Sequence, residues 1–150
     1  MGINIKGIIE IEVNKMNNIF EQLFQYGFHD TELSSIQGEK LEIKLNFNNG
    51  IYILDDNGKE TVLSKPLQID LKINSYFGFF EDALEIREYG QKIKYIDYLT
   101  MKKYLQKEQF GISMVYYSNF NNSILFDGGI SRKNIMFSIE GIREITIREL

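Results

Sequence analysis

Residues 41–48 read Leu-Glu-Ile-Lys-Leu-Asn-Phe-Asn, with apolar and polar side chains in strict alternation. Residues 67–74, Leu-Gln-Ile-Asp-Leu-Lys-Ile-Asn, repeat the same pattern. Because successive side chains of a β-strand point to opposite faces, this period of two predicts two strands, each with one buried and one exposed face. Strands with one face in water are typical of antiparallel sheets, so the two stretches predict an antiparallel β-sheet protein.

Weaker alternations predict further strands at 9–13, 84–86, 112–116, 135–139 and 145–147. In 112–116 the pattern places Ile112, Met114 and Tyr116 on one face. Residue pairs that accept positive φ predict hairpin turns. They occur at Asn49-Gly50, Asn57-Gly58 and Asp127-Gly128-Gly129, and further reversals are expected at Gly38, Tyr89-Gly90 and Gly141.

Two segments break the alternation and predict helices. One apolar stripe at helical spacing is formed by Met16, Ile19, Phe20, Leu23 and Phe24. A second, short helix is expected near 99–107, with Thr100 able to cap it. We therefore predict one α+β domain over 1–150, mainly antiparallel β-sheet of about seven to nine strands, with one amphipathic N-terminal helix and one short helix.

Composition excludes several classes of function. The 150 residues carry a formal net charge of −4, which argues against a nucleic-acid partner because such proteins present basic surfaces. No cysteine and one histidine leave no ligand set for a common zinc or iron–sulfur site, so neither metal nor cofactor is expected. No apolar run is long enough to span a bilayer, and no signal peptide is evident, so a cytoplasmic protein is expected.

The most distinctive string is Phe28-His29-Asp30-Thr31-Glu32-Leu33. Ser34 or Ser35 could in principle complete a hydrolytic triad with His29 and Asp30. On an extended segment, however, adjacent side chains diverge, so we expect His29 and Asp30 to point apart. A structural role is favoured, in which one of them hydrogen-bonds the backbone at a corner.

Acidic clusters give weaker signals. Residues 55–59, Asp-Asp-Asn-Gly-Lys, lack the spacing of a calcium loop and are expected at a hairpin tip. Glu81 and Asp82, followed by Glu85 and Glu88, could supply a carboxylate pair, but alternating acids are usually a solvated strand face. No catalytic residue is predicted.

Aromatic residues are concentrated in two segments. They are Tyr76, Phe77, Phe79 and Phe80 in the first, and Tyr116, Tyr117 and Phe120 in the second. Because successive side chains cannot all face a core, some of these rings are expected to be exposed and to contact a protein partner. The alternative is that Gly78 bends the chain and all four rings of the first segment pack inward.

The string at 28–33 resembles a group of small bacterial proteins that carry a Phe-His-Asp-small-Glu-aliphatic motif followed by a β-hairpin. The resemblance covers about twenty residues, near 28–48. Several of these proteins look like immunity proteins of polymorphic toxin systems, and others are domains of unknown function. The resemblance implies that His29, Asp30 and Glu32 have a structural or partner-contacting role.

The resulting hypothesis is a non-enzymatic cytoplasmic protein that binds another protein, as an immunity protein binds its cognate, basic toxin. Two alternatives remain open. One is an enzyme or ligand-binding domain with a pocket of Tyr, Asp and Glu side chains, and the other is a subunit that assembles with its own copies.

Overall fold

A computed structural model describes residues 18–150, which form thirteen β-strands, two α-helices and one 3-10 helix, Glu21–Leu23. The helices are α1 (Phe80–Ala83) and α2 (Tyr98–Lys107). The strands are β1 (Tyr26–Gly27), β2 (Thr31–Leu33), β3 (Ser35–Glu39), β4 (Glu42–Phe47), β5 (Tyr52–Leu54), β6 (Glu60–Leu63), β7 (Leu67–Ile73), β8 (Leu84–Tyr89), β9 (Ile93–Ile96), β10 (Phe110–Ser118), β11 (Ser123–Ile130), β12 (Lys133–Ile139) and β13 (Ile142–Glu149).

The strands form three antiparallel sheets. A four-stranded sheet has the order β13-β7-β4-β3, a six-stranded sheet the order β2-β10-β11-β12-β8-β9, and a small sheet the order β1-β5-β6. The mainly antiparallel α+β class is thus confirmed. The predicted strand number was too low, because short strands such as β1 and β2 carry too few residues to show a period.

The two strongest alternations are the two central strands of the four-stranded sheet. β4 pairs with β7 so that Leu45 lies opposite Ile69, and both are buried. The intervening positions place Lys44 opposite Asp70 on the other face. The alternation predicted from residues 41–48 and 67–74 is confirmed, because one face of each strand enters the core. The other face is less exposed than predicted, since Lys44 and Lys72 are half-buried and Asn46 and Asp70 are buried.

Aromatic rings fill the space between the two larger sheets. Phe28 contacts Phe47 of the four-stranded sheet and Phe126 of the six-stranded sheet, with centroids 5.7 and 5.9 Å away. Phe126 stacks on Phe137 at 4.8 Å, and Phe110 lies 5.4 Å from Phe137. Burying each such ring contributes roughly 1.5–3 kcal/mol, so this cluster joins the sheets.

Three of the turn predictions were wrong. Asn49-Gly50 leads from β4 to β5 of a different sheet, so it does not close a hairpin. Asp127-Gly128-Gly129 lies within β11, and the chain reverses at Ser131 and Arg132, whose φ angles are +49° and +64°. Gly38 lies within β3, and because it has no side chain the ring of Phe80 packs directly against it. The chain reverses two residues later, at Lys40.

Other turns agree with expectation. Asn57-Gly58 closes the β5–β6 hairpin, and Gly90 lies between the paired strands β8 and β9. At the first of these, Asp55 Oδ1 accepts hydrogen bonds from the N–H groups of Asn57 and Lys59, each at 2.9 Å. Asp55 therefore stabilises a hairpin tip, as the sequence indicates.

The described part of the predicted N-terminal helix is not an α-helix. Met16 lies outside the described residues, and Asn18 has a φ of +40°, which a right-handed helix cannot contain. Only Glu21–Leu23 is helical, and it is a 3-10 turn. Phe20 and Leu23 are nevertheless buried, whereas Phe24 is 47% exposed.

The predicted helix near 99–107 is confirmed as α2. It begins after Asp97, whose Oδ1 accepts a 2.8 Å hydrogen bond from the N–H of Thr100, so Asp97 and not Thr100 caps it. Hydrogen bonding from the Thr100 side chain, followed by that from its backbone N–H, holds the pKa of Asp97 below its usual value. Tyr98 fixes α2 to β3, since its hydroxyl accepts from the Gly38 N–H at 2.9 Å.

Candidate functional site

The His29 motif forms a tight corner before β2. The N–H and the hydroxyl of Thr31 both donate to the carbonyl of Phe28, at 3.0 and 2.5 Å. Asp30 has a φ of +60°, and its N–H donates to Ile112 O at 2.9 Å. The corner is therefore attached by hydrogen bonds to β10, its neighbour in the sheet.

His29 and Asp30 approach one another, contrary to the expectation that they diverge. His29 Nε2 lies 3.3 Å from Asp30 Oδ2, and its Nδ1 lies 2.7 Å from Ser113 O. The reason is the left-handed backbone at Asp30, which the assumption of an extended segment does not include. The hydrogen bond to Ser113, followed by the charge of Asp30, raises the pKa of His29.

This geometry does not form a triad. Both ring nitrogens of His29 face acceptors, so neither is directed at a nucleophile. Ser34 Oγ donates to Gln109 Oε1 at 3.0 Å, and Ser35 Oγ accepts from Asn46 Nδ2 at 2.8 Å. Glu32 projects from β2 as an exposed side chain.

Glu85 and Glu88, two of the acidic residues noted from the sequence, have different partners. Glu85 pairs with Arg87 at 3.1 Å. Glu88 accepts from the Tyr104 hydroxyl at 3.1 Å and lies 3.8 Å from Lys133 Nζ. Across residues 18–150, no three His, Cys, Asp or Glu side chains are grouped so that they could hold a metal ion.

A groove of about 280 Å³ lies between α2 and the strands β3 and β4. Glu39, Glu42, Lys44 and Tyr98 contribute to its walls. The Tyr98 hydroxyl is already used, because it accepts from Gly38 N and donates to Ile36 O at 3.3 Å. The groove thus offers charged side chains of both signs around a tyrosine whose polar atom is engaged by the backbone.

The structure divides the two aromatic segments into exposed and buried rings. Phe80 is buried against Gly38 and Tyr98, so it cannot contact a partner as the sequence suggested. Phe77 and Tyr117 are partly buried against the core, and burial raises the pKa of Tyr117. Four rings are exposed: Tyr76 (70%), Phe79 (65%), Tyr116 (53%) and Phe120 (99%).

Gly141 brings parts of the two segments together at one end of the molecule. Its N–H donates to Asn121 O at 3.0 Å, next to Phe120, and its carbonyl accepts from Asn74 N at 2.8 Å. With a φ of +61°, Gly141 also lies so close to Phe77 that a Cβ would collide with the ring. We call the three rings of Tyr76, Phe77 and Phe120, which lie on the loops joined through Gly141, the aromatic end.

The outer face of the six-stranded sheet was missed by sequence analysis. Cross-strand register aligns Met114, Asp127, Met136, Arg87 and Tyr95 in one row across β10, β11, β12, β8 and β9. A parallel row contains Gly111, Gly129, Asn134, Tyr89 and Ile93. These two rows define the outer sheet face, on which Met114, Ile93 and Tyr95 are 49–66% exposed.

One misassigned residue explains part of that omission. A bulge between Ile112 and Met114 shifts the register of β10. Ile112 is buried, whereas Met114 and Tyr116 face outward, so the three do not share a face as the alternation suggested. An extra residue in one strand leaves no periodic trace in the sequence.

Comparison with protein-family models, with curated proteins and with solved structures gives no match to this chain. Among the described residues, no helix has the length and apolar character needed to cross a membrane.

Proposed function

We propose that this chain is a non-enzymatic protein-binding domain of the cytoplasm, and that it acts as an immunity protein that neutralises a cognate toxin. The observation that carries the proposal is the aromatic end, where Tyr76 and Phe120 expose 70% and 99% of their surface. Exposed aromatic rings are typical anchors of protein interfaces. The resemblance of residues 28–33 to immunity proteins supports the choice of partner.

The aromatic end is held in place by backbone contacts, which favours a binding role. The loop that carries Phe120 and the loop that carries Tyr76 both hydrogen-bond to Gly141. Tyr76 and Phe77 are further fixed against each other, with centroids 4.5 Å apart. Tyr76 and Phe77, which pack against each other, therefore lose less conformational entropy when a partner binds, whereas the Phe120 side chain is positioned only through its loop.

Charge indicates the chemistry of the partner. The net charge of −4 attracts a basic protein, and toxins that cleave nucleic acids carry Lys and Arg near the phosphates they bind. Such attraction raises the association rate more than the final affinity. The buried contacts of the rings would then determine the dissociation rate.

The test is a binding titration against the purified product of a toxin gene adjacent to this one. We expect association to slow as salt concentration rises, and Phe120→Ala and Tyr76→Ala to speed dissociation at least about tenfold, as loss of an interface anchor does. Val62→Ala, which alters a side chain 64% exposed on β6, is the matched control and should change neither rate. Binding that ignores both ring replacements, or failure to bind the toxin, would refute the proposal.

A further inference from the structure

The outer sheet face has two unlike halves about β12. On one side, β10 and β11 contribute Gly111 and Gly129, which line a depression of about 440 Å³ together with Glu32, Glu108 and Gln109. On the other side, in the same row, β8 and β9 contribute the large side chains of Tyr89 and Ile93. The half of this row on β10 and β11 therefore has no side chains, whereas the half on β8 and β9 has two large ones.

The second row has a matching arrangement of charge. Asp127 on β11 and Arg87 on β8 flank Met136 of β12 on either side. Asp127 forms no ion pair with another described residue. Arg87 bonds Glu85 at 3.1 Å and lies over the Tyr95 ring at 5.7 Å, which leaves part of its guanidinium for a second carboxylate. Met114 and Tyr95 end the row with exposed apolar surface.

We propose that this face binds the same face of a second copy of the chain, with a two-fold axis that runs along β12. Rotation about this axis places β11 over the partner's β8 and β10 over the partner's β9. The dimer inference is independent of the toxin proposal, because it uses a different surface and needs no other molecule.

In this dimer, each half of the face contacts the complementary half of the other copy. Tyr89 and Ile93 of one copy face the glycine depression of the other, while Asp127 of one copy faces Arg87 of the other, twice per dimer. Met136 meets its own copy on the axis, and Met114 meets Tyr95, a sulfur–aromatic contact. A two-fold interface requires such self-complementarity, since one surface must fit itself.

Neighbouring positions are compatible with this arrangement. In the dimer, Glu85 of one copy lies opposite Leu125 of the other. Its carboxylate already bonds Arg87 of its own chain at 3.1 Å, so it keeps a partner there. Sheets that pack face to face keep their strand directions within about 30°, as an axis along a strand requires.

The area predicts a dimer of modest strength. Five strands about 4.8 Å apart, with four residues from β9 and about six from each of the other four at 3.3 Å, cover roughly 450 Å² of sheet on each copy. This is below the roughly 800 Å² per partner of a standard interface and is in the range of weak, transient associations. We therefore expect dissociation in about the micromolar range.

The first experiment is sedimentation velocity of the full chain at concentrations up to about 100 µM. The wild type should sediment as a concentration-dependent dimer. Gly111→Leu should weaken association at least about tenfold by filling the depression. The fold should tolerate this change, because a Cβ at Gly111 meets only Gly129 O, at 3.8 Å. A wild-type chain that stays monomeric at the highest concentration overturns the inference.

The decisive experiment mixes two charge variants. Asp127→Arg and Arg87→Asp should each be monomeric, because both contacts in either homodimer join like charges. Their equimolar mixture should regain the dimer, because the heterodimer restores opposite charges at both contacts. Glu144→Arg, which makes the same charge change on the four-stranded sheet, should dimerise like the wild type, and circular dichroism should show that all variants fold.

Recovery upon mixing would support the two-fold arrangement about β12. A dimer that persists in both charge variants and in Gly111→Leu would place the interface elsewhere and overturn the inference. Because no toxin is present, neither result alters the test of the proposed function.

Discussion

The outer faces of the two larger sheets follow the same strand alternation with different side chains. On the four-stranded sheet the outward residues form charged rows, such as Glu144, Lys72 and Glu42 across β13, β7 and β4. On the six-stranded sheet the outward residues include Met114, Met136 and Tyr95. The charged rows of the first face are suited to water, although Asp70 and Asn46 on the same face are buried. The second face resembles the amphipathic surfaces of protein interfaces.

This difference also explains which strands were easy to predict. Around β4 and β7, charged outward residues contrast with Ile and Leu, so the period of two is plain. On β10 to β12, outward residues such as Leu125 are themselves apolar, and the contrast fades. The weaker alternation of these strands therefore follows from apolar residues such as Leu125 and Met136 on the outward face.

The largest expected effect contrasts the two sides of β12. Phe137 is 1% exposed and stacks on Phe126, so Phe137→Ala should lower the free energy of unfolding by about 3–5 kcal/mol. Met136, its neighbour, faces outward, and Met136→Ala should cost less than about 1 kcal/mol. Denaturant unfolding at a concentration too low for association measures both, and equal losses would show that the inner and outer faces are wrongly assigned.

Two glycines give the next contrast. A Cβ at Gly128 would collide with Gly111 O and lie 2.9 Å from Phe110 Cζ, so Gly128→Ala should destabilise the fold by about 1–3 kcal/mol. Gly111→Ala should change stability by less than about 1 kcal/mol, since its side chain enters open space. Thermal melting distinguishes the two, and a Gly111→Ala loss as large as that of Gly128→Ala would contradict the outward orientation.

Much of the fold was accessible from sequence, while the candidate sites were accessible only in part. α2 and the central strands were predicted because their signals lie within ten residues. The corner at Asp30 and the turn at Ser131-Arg132 were not, because non-glycine residues adopt positive φ there through tertiary contacts. The aromatic end depends on Gly141, which joins segments distant in sequence, and no local pattern reports that.

A smaller effect is expected on the four-stranded outer face. Asp70 is 3% exposed, and Arg148 Nη2 lies 3.3 Å from its Oδ2. Arg148→Ala should cost about 1–2 kcal/mol, because it leaves a buried carboxylate without its counter-charge. Glu144→Ala removes an exposed pair with Lys72 at 3.7 Å and should cost less than about 1 kcal/mol. Chemical denaturation at neutral pH compares the free energies of unfolding of the two variants. Equal losses would show that the burial of Asp70 does not strengthen its ion pair with Arg148.

The smallest effect concerns pH and the His29 corner. The hydrogen bond to Ser113 and the charge of Asp30 raise the pKa of His29 above its ordinary value near 6.5. A raised pKa means that the folded state binds the proton more tightly than the unfolded chain does. The contribution to stability is therefore fully present below about pH 6.5 and is lost as pH rises through the folded pKa.

Because His29 is the only histidine, its imidazole resonances in an NMR titration report this pKa without overlap. Asp30→Asn should lower the pKa but leave it above that of the unfolded chain, since the larger contribution comes from the Ser113 carbonyl. Asp56→Asn, which changes an exposed carboxylate at a hairpin tip, is the control and should leave it unchanged. A wild-type pKa at or below 6.5 would mean that the imidazole does not hold the Ser113 carbonyl in solution, and the corner would then depend on the Thr31 hydrogen bonds and on the Asp30 N–H bond to Ile112 O.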